Sequence, residues 1–244
     1  MRGVARACVK HISRDGSSEY TRRYGIQETA MAERKRPRRT PERIVETSLS
    51  LFNQLGEPHV TTADVAAEMG ISPGNLYYHF RNKDAIIVAL FKSLEERLDS
   101  LLAAPRNRGA NVEDLWLVLH LLFESMWEYR FLYRDLDEIL SRNRQLATRF
   151  AALMRRGSAS VIELCRGMVA AGSMRASQRE IAALADNVGL VATYWMSYQR
   201  ICAGGAAGDT LNLDRAAYQV LSLIAPFLHG PSRTLLDRLR QDYL

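Results

Sequence analysis

The sequence predicts an all-α protein: an N-terminal three-helix unit containing a helix-turn-helix, followed by a larger C-terminal helical unit. Three observations predict it. From Thr40 onward, capping residues and helix breakers recur at helix-length intervals. Between them, apolar residues recur every three or four positions. No stretch alternates apolar and polar residues for a useful strand length.

Thr40 is a good N-cap, Pro41 a good first helical residue, and Glu42 suits the positive end of the helix dipole. Ile44, Val45, Ser48, Leu49, Leu51, Phe52 and Leu55 then follow helical spacing, and Gly56 with Pro58 stops the helix. Thr61 or Thr62 caps a second short helix carrying Val65, Ala66 and Met69, which Gly70 ends. Ser72 caps a third, with Pro73 at its first position, running to about Phe80. Asn82 caps a long amphipathic helix with Ile86, Ile87, Leu90, Phe91, Leu94, Leu98, Leu101 and Leu102 on its apolar face. The segment 105–111, PRNRGAN, reads as a linker. Six further helices are predicted over 112–129, 130–141, 144–171, 178–202, 211–228 and 231–243. Their breaks are Gly172 with Ser173, the glycine-rich run 204–208, and Gly230 with Pro231.

Of the 244 residues, 47% are hydrophobic and 25% charged, which excludes wholesale disorder and a fibrous repeat. No apolar run approaches the ~18 residues of a membrane helix, so no membrane partner is expected. Cys8, Cys165 and Cys202 are odd in number and far apart. They form neither a disulfide framework nor a CxxC pair, which points to a reducing, cytoplasmic setting. Residues 1–33 lack an apolar period and read as a disordered extension, with Met31 a plausible true start.

The charge is unevenly spread. Residues 1–40 hold 11 Lys and Arg against 4 Asp and Glu, a balance of +7, while the rest of the chain sums to −1. The basic arm 34–40 carries Arg34, Lys35, Arg36, Arg38 and Arg39. Such asymmetry suits either a polyanion partner for that end or a solvated basic tail.

The segment from Thr61 to Phe80 has helix-turn-helix arithmetic: two short helices joined by Met69-Gly70-Ile71-Ser72. Ala66, Ile71 and Leu76 supply inward positions for a close crossing. The second helix then offers Gly74, Asn75, Tyr77, Tyr78 and His79 outward, although Tyr78 and Phe80 could equally be core. A helix of this size fits the DNA major groove, where Asn can bond adenine bidentately and hydroxyls reach phosphates.

Residues 41–90 resemble the DNA-binding domain of the TetR/AcrR family of bacterial transcriptional regulators. The resemblance is carried by Ile44-Val45 through Leu51-Phe52, Gly56, Thr61 to Ala66, Gly70-Ile71-Ser72, Gly74, Leu76 to Phe80, and Asn82-Lys83. Within the family the chain looks most like the branch that regulates polyhydroxyalkanoate genes, through Leu51 to Gln54, Gly56 to Pro58, Gly70 to Phe80 and Tyr129 to Leu132. The resemblance implies a DNA-binding domain over 41–85, a connecting helix over 86–104 and a ligand-binding and dimerisation domain over 111–244. It implies a double-stranded operator as partner, a homodimer, and an apolar effector such as a fatty acid or acyl-coenzyme A. It further implies that Arg38, Arg39, Thr61, Thr62, Ser72, Gly74, Asn75, Tyr77, Tyr78, His79 and Lys83 contact DNA. Alanine at position 63 removes a base-reading side chain found in some relatives, which leaves Asn75 as the best direct reader.

In the C-terminal unit, Trp116, His120, Phe123, Trp127, Phe131, Arg134, Met168, Tyr194 and Trp195 are candidates for a ligand pocket, the alternative for each being ordinary core. Met126, Tyr133 and Met154 extend that aromatic and Met-rich set. Ala182, Ala185, Gly189, Tyr218, Leu221 and Ile224 are candidates for the dimer face implied by the resemblance. His120 and Glu124 have metal-ligand spacing but no obvious third partner, so no metal is expected, nor any cofactor. GxSxG, P-loop and HExxH patterns are absent, which argues against an enzyme. A nonspecific architectural DNA protein is the remaining alternative, and the near-neutral balance after residue 40 disfavours it.

Overall fold

The computed structural model describes residues 40–102, 111–202 and 213–243. The extension, the basic arm with Arg38 and Arg39, the linker and the glycine-rich run therefore lie outside the described residues, wholly or nearly so.

The described chain is helical throughout, apart from one isolated bridge between Met174 and Leu228. Helix α1 spans Thr40–Leu55, α2 Thr62–Glu68, α3 Pro73–His79 and α4 Lys83–Leu102. The second part comprises α5 Val112–Glu128, α6 Arg130–Arg134, α7 Leu136–Arg142, α8 Arg144–Ala170, α9 Gln178–Cys202, α10 Leu213–Ile224 and α11 Gly230–Leu239. Local chemistry explains most boundaries. Thr61 and Asp64 form a reciprocal capping box at α2, and Asn111 and Asp114 repeat it at α5. Asn82 Oδ1 accepts from the Ala85 amide at 2.9 Å, Asn143 caps α8, and Gly172 leaves that helix with φ +70°.

Two expected helices are shorter than their periodicity suggests. The helix predicted over 130–141 breaks at Asp135 into α6 and α7. Phe131, Leu132 and Tyr133, three consecutive residues of α6, are all buried. The helix predicted over 211–228 ends at Ile224 and tightens into a 3₁₀ turn, where Pro226 lacks the amide donor that a further α turn needs.

One continuous apolar core runs through both parts. Phe52 of α1 meets Phe131 of α6 with ring centroids 5.3 Å apart. Asn53 clamps the same junction from both sides: its Nδ2 donates to the Glu128 carbonyl at 2.8 Å, and its Oδ1 accepts from the Phe131 amide at 3.1 Å. Arg134 Nη2 donates to the Phe52 carbonyl at 2.8 Å. Gly56 sits beneath this guanidinium with φ +94°, and a Cβ there would lie 3.2 Å from the His59 ring and 3.4 Å from Arg134 Nη2. The left-handed conformation selects glycine, and a side chain there would also press on the His59 ring.

Farther along α4, Glu95 and Asp99 face α8. Arg156 Nε donates to Asp99 Oδ1 at 2.7 Å and Arg156 Nη2 to Glu95 Oε1 at 2.9 Å, while Arg149 also grips Glu95. Burial opposes the charge on Glu95, but the two arginines outweigh it and hold its carboxyl below the ordinary range.

Candidate nucleic-acid interface and internal cavity

Helices α2 and α3 cross over Val65, Ala66 and Leu76, each 1% exposed or less. The turn between them depends on Gly70, whose φ is +64° and whose surroundings are open. Backbone strain, not crowding, selects glycine there. Ile71 N then donates to the Ala66 carbonyl at 3.0 Å and closes the turn.

The outward face of α3 is Gly74, Asn75, Tyr77 and Tyr78, with His79 half-buried at its end. Tyr78, ambiguous from sequence, is 84% exposed and stands edge-on to the His79 ring. Phe80 is half-buried and packs on the core. The Tyr77 hydroxyl lies 3.0 Å from Thr62 Oγ1, which links the exposed faces of α2 and α3. Thr61 and Ser72, expected on DNA, use their hydroxyls as helix N-caps, although both residues remain exposed.

Lys83 departs most from expectation. Its Nζ donates to the carbonyls of Glu57 and Val60, both at 3.0 Å, and pairs with Glu57 Oε1 at 2.9 Å. Those three bonds use all three ammonium donors, so the expected phosphate contact gives way to an internal anchor. Arg81, which the sequence reading passed over, is an exposed cation beside α3 with no ion pair among the described residues. Lys83→Ala is accordingly expected to lower stability by about 1–3 kcal/mol through the bonds it strips from Glu57 and Val60. Chemical denaturation checks the stability; the slope of DNA affinity against salt should stay as in the parent.

A cavity of about 520 Å³ lies among α4, α5, α8 and α9. Leu98, Leu102, Leu115, Leu119, Leu122, Met126, Phe150, Leu153 and Met154 give it a hydrocarbon wall, and Tyr133 and Thr193 open onto it. Met126, Tyr133 and Met154, which extended the set of pocket candidates named from sequence, line it, but none of the nine principal candidates does. The reason is helical phase. Leu115, Leu119, Leu122 and Met126 face the cavity, while Trp116, His120, Phe123 and Trp127 lie one residue farther round α5. Trp116 stacks on His120, and Trp127 is exposed with the Arg130 guanidinium over its ring. Phe131 and Arg134 serve the junction with α1, Met168 is core, and Trp195 is buried beside Tyr198. Tyr194 is on the surface, donating to Asp137 Oδ1 at 3.4 Å.

The proposed dimer face is also redrawn. Leu221 and Ile224 are fully buried within the protomer, and Ala185 is 1% exposed, so they have no surface to offer. Gly189 faces inward, where a Cβ would meet Met154 at 3.4 Å. Ala182 is exposed and Tyr218 half-buried. The exposed apolar row on α9 is instead Leu190, Tyr194, Tyr198 and Ile201.

Among the described residues, no group of three or more His, Cys, Asp or Glu is placed to hold a metal. His120 and Glu124 lie 3.6 Å apart as a side-chain pair. Burial pushes the Cys165 thiol up to about 11, which makes it a poor nucleophile. Among the described residues, no helix is long and apolar enough to cross a membrane.

A tight helix-turn-helix with an exposed second helix, joined to a helical part enclosing an apolar cavity, defines the class of two-part helix-turn-helix regulators. Family comparison agrees. Residues 44–90 match the model described as bacterial regulatory proteins, tetR family, and residues 93–236 match that described as bacterial transcriptional repressor. The chain belongs to the TetR family.

A TetR-family transcriptional regulator from Marinobacter aquaeolei VT8, solved by crystallography, is 35% identical with a TM-score of 0.76, covering 84% of this chain and 98% of its own. The HTH-type transcriptional regulator TtgR of Pseudomonas putida is 27% identical over 136 residues, 54% of this chain and 63% of that protein. The tetracycline repressor protein class A from transposon 1721 of Escherichia coli is 35% identical over 54 residues, 22% of this chain and 25% of that protein. The chain thus spans less than two thirds of the length of these curated relatives.

Proposed function

We propose that the protein regulates transcription by binding a near-palindromic operator as a homodimer, and that a small apolar effector in the cavity shifts its affinity for DNA. The exposed face of α3 carries this reading. Asn75 is free of packing and placed on that face, where its amide can bond an adenine edge. Tyr77, Tyr78, His79 and Arg81, with Arg38 and Arg39 of the basic arm, supply phosphate contacts around it. The apolar row on α9 supports a two-fold partner, which would present two α3 helices to half-sites about 34–36 Å apart. Arg81→Ala is expected to weaken binding to all duplexes alike and to flatten the salt dependence by about one unit. Affinity titrations between low and high salt check this. An unaltered slope would remove Arg81 from the phosphate contacts.

The cavity suits the hydrocarbon body of an acyl-type effector, in keeping with the polyhydroxyalkanoate-gene branch suggested by the sequence. Its lining carries no basic cluster for the phosphates of a coenzyme A moiety, which would have to remain outside. To switch operator occupancy, the effector must prefer one arrangement of the two parts by several kcal/mol. The Phe52–Phe131 contact, the Asn53 clamp and the Arg134 bond link α1 to α6, and α4, which also lines the cavity, packs directly on α1. Melting the protein with and without a candidate effector, alongside operator binding under the same conditions, tests the reading. An effector that raises the melting temperature but leaves operator affinity unchanged would contradict it.

A further inference from the structure

Four hydroxyl residues line the largely hydrocarbon cavity: Ser158 and Ser160 are half-buried, whereas Tyr133 and Thr193 are buried. Tyr133 on α6 lines it and is 5% exposed, and no described residue hydrogen-bonds its hydroxyl. Burial pushes that phenol's pKa up, so it remains protonated and able to donate. Thr193 on α9 is also 5% exposed, and its Oγ1 donates to the Met154 sulfur at 3.5 Å, a weak acceptor. Helix α6 packs against α9, so these two buried hydroxyls are carried by neighbouring helices of the wall. The charged lining residues, Arg155 and Asp186, are both exposed and sit at the rim. A charge brought inside would meet no opposite charge, whereas an uncharged polar group would meet a ready donor.

We propose that this cavity selects an uncharged ligand: an aliphatic or aromatic body bearing one hydroxyl, carbonyl or ester that docks on Tyr133 and Thr193. The proposal rests on the reading of the cavity as an effector site, and narrows acyl-type effectors to alcohols, esters, amides and lactones over free acids. An acid could bind the other way round, with its chain inside and its carboxylate at the rim on Arg155, which has no ion pair among the described residues. The two arrangements make opposite predictions.

The test is displacement of the hydrocarbon fluorophore diphenylhexatriene by dodecan-1-ol and by dodecanoate at pH 8. The alcohol is expected to displace it at least about tenfold more tightly than the acid. In Tyr133→Phe, and further in Tyr133→Phe/Thr193→Val, that ratio should fall towards unity. Equal or tighter binding of dodecanoate, lost in Arg155→Gln, would overturn the proposal in favour of the head-out arrangement. The wild-type comparison decides even if a variant fails to fold. Failure of diphenylhexatriene to bind the wild-type protein would sink the effector-site reading and this proposal with it, an outcome distinct from a reversed preference.

Discussion

Replacing Glu57 by alanine is expected to cost about 3–5 kcal/mol of stability. Glu57 sits in the 3₁₀ turn between α1 and α2 and is wholly buried. Its Oε1 accepts from Lys83 Nζ of α4 and from Arg142 Nη2 of α7. Arg142 also reaches Asp84 at 3.2 Å. One carboxylate therefore neutralises two cations that come from different parts of the chain. Alanine would leave the ammonium and the guanidinium without their shared anion. The side chain of Arg142 is 30% exposed and can recover some hydration, which places the effect towards the lower end of that range. At this chain length the loss corresponds to a melting temperature lower by roughly 6–20 °C. A variant that melts within a degree or two of the parent would show that the buried carboxylate contributes nothing net. Arg142→Gln should cost less, because Lys83 would still neutralise Glu57.

Replacing Asn75 by alanine is expected to lower discrimination between operator and random duplex by about 1–3 kcal/mol, a factor of roughly five to 150. Asn75 is exposed on α3, and its backbone amide donates to the Ser72 cap at 3.2 Å. The side chain is not needed for that cap, so the fold should survive and the loss should fall on base reading alone. Affinity for random DNA should barely change, because phosphate contacts set it. Competition binding with both duplexes at one salt concentration reads the effect, and an unchanged preference would remove Asn75 from the readout.

What could be read from the sequence was local. The α2–turn–α3 unit was legible because Thr61, Gly70 and Ser72 act within a few residues of themselves, through caps and a left-handed turn. Most of the other helix limits followed from caps and breakers in the same way. The break at Asp135 was not legible from local caps or breakers, and the short helix before it packs on Phe52, far away in sequence. Most of the cavity lining eluded prediction for a related reason, although Met126, Tyr133 and Met154 were among the residues named. Periodicity marks an apolar helix on α5 but not which of two adjacent apolar stripes meets a void, and the aromatic stripe was the wrong one. Lys83 shows the same limit for charge. Its position after α3 suited a phosphate contact, and only the packing of the turn at Glu57 shows where the ammonium goes. Leu221 and Ile224 carried the apolar character of an interface, but the burial that assigns them to the protomer core depends on tertiary packing.

The central claim is sequence-specific DNA binding through α3. Selection from a randomised duplex library with the full chain, followed by affinity measurement at physiological salt, tests it most directly. The expected result is a near-palindromic sequence bound at least about 10³-fold more tightly than the starting pool. A library that emerges unenriched, with uniform affinity set by salt alone, would contradict the claim and favour an architectural protein that grips the DNA backbone.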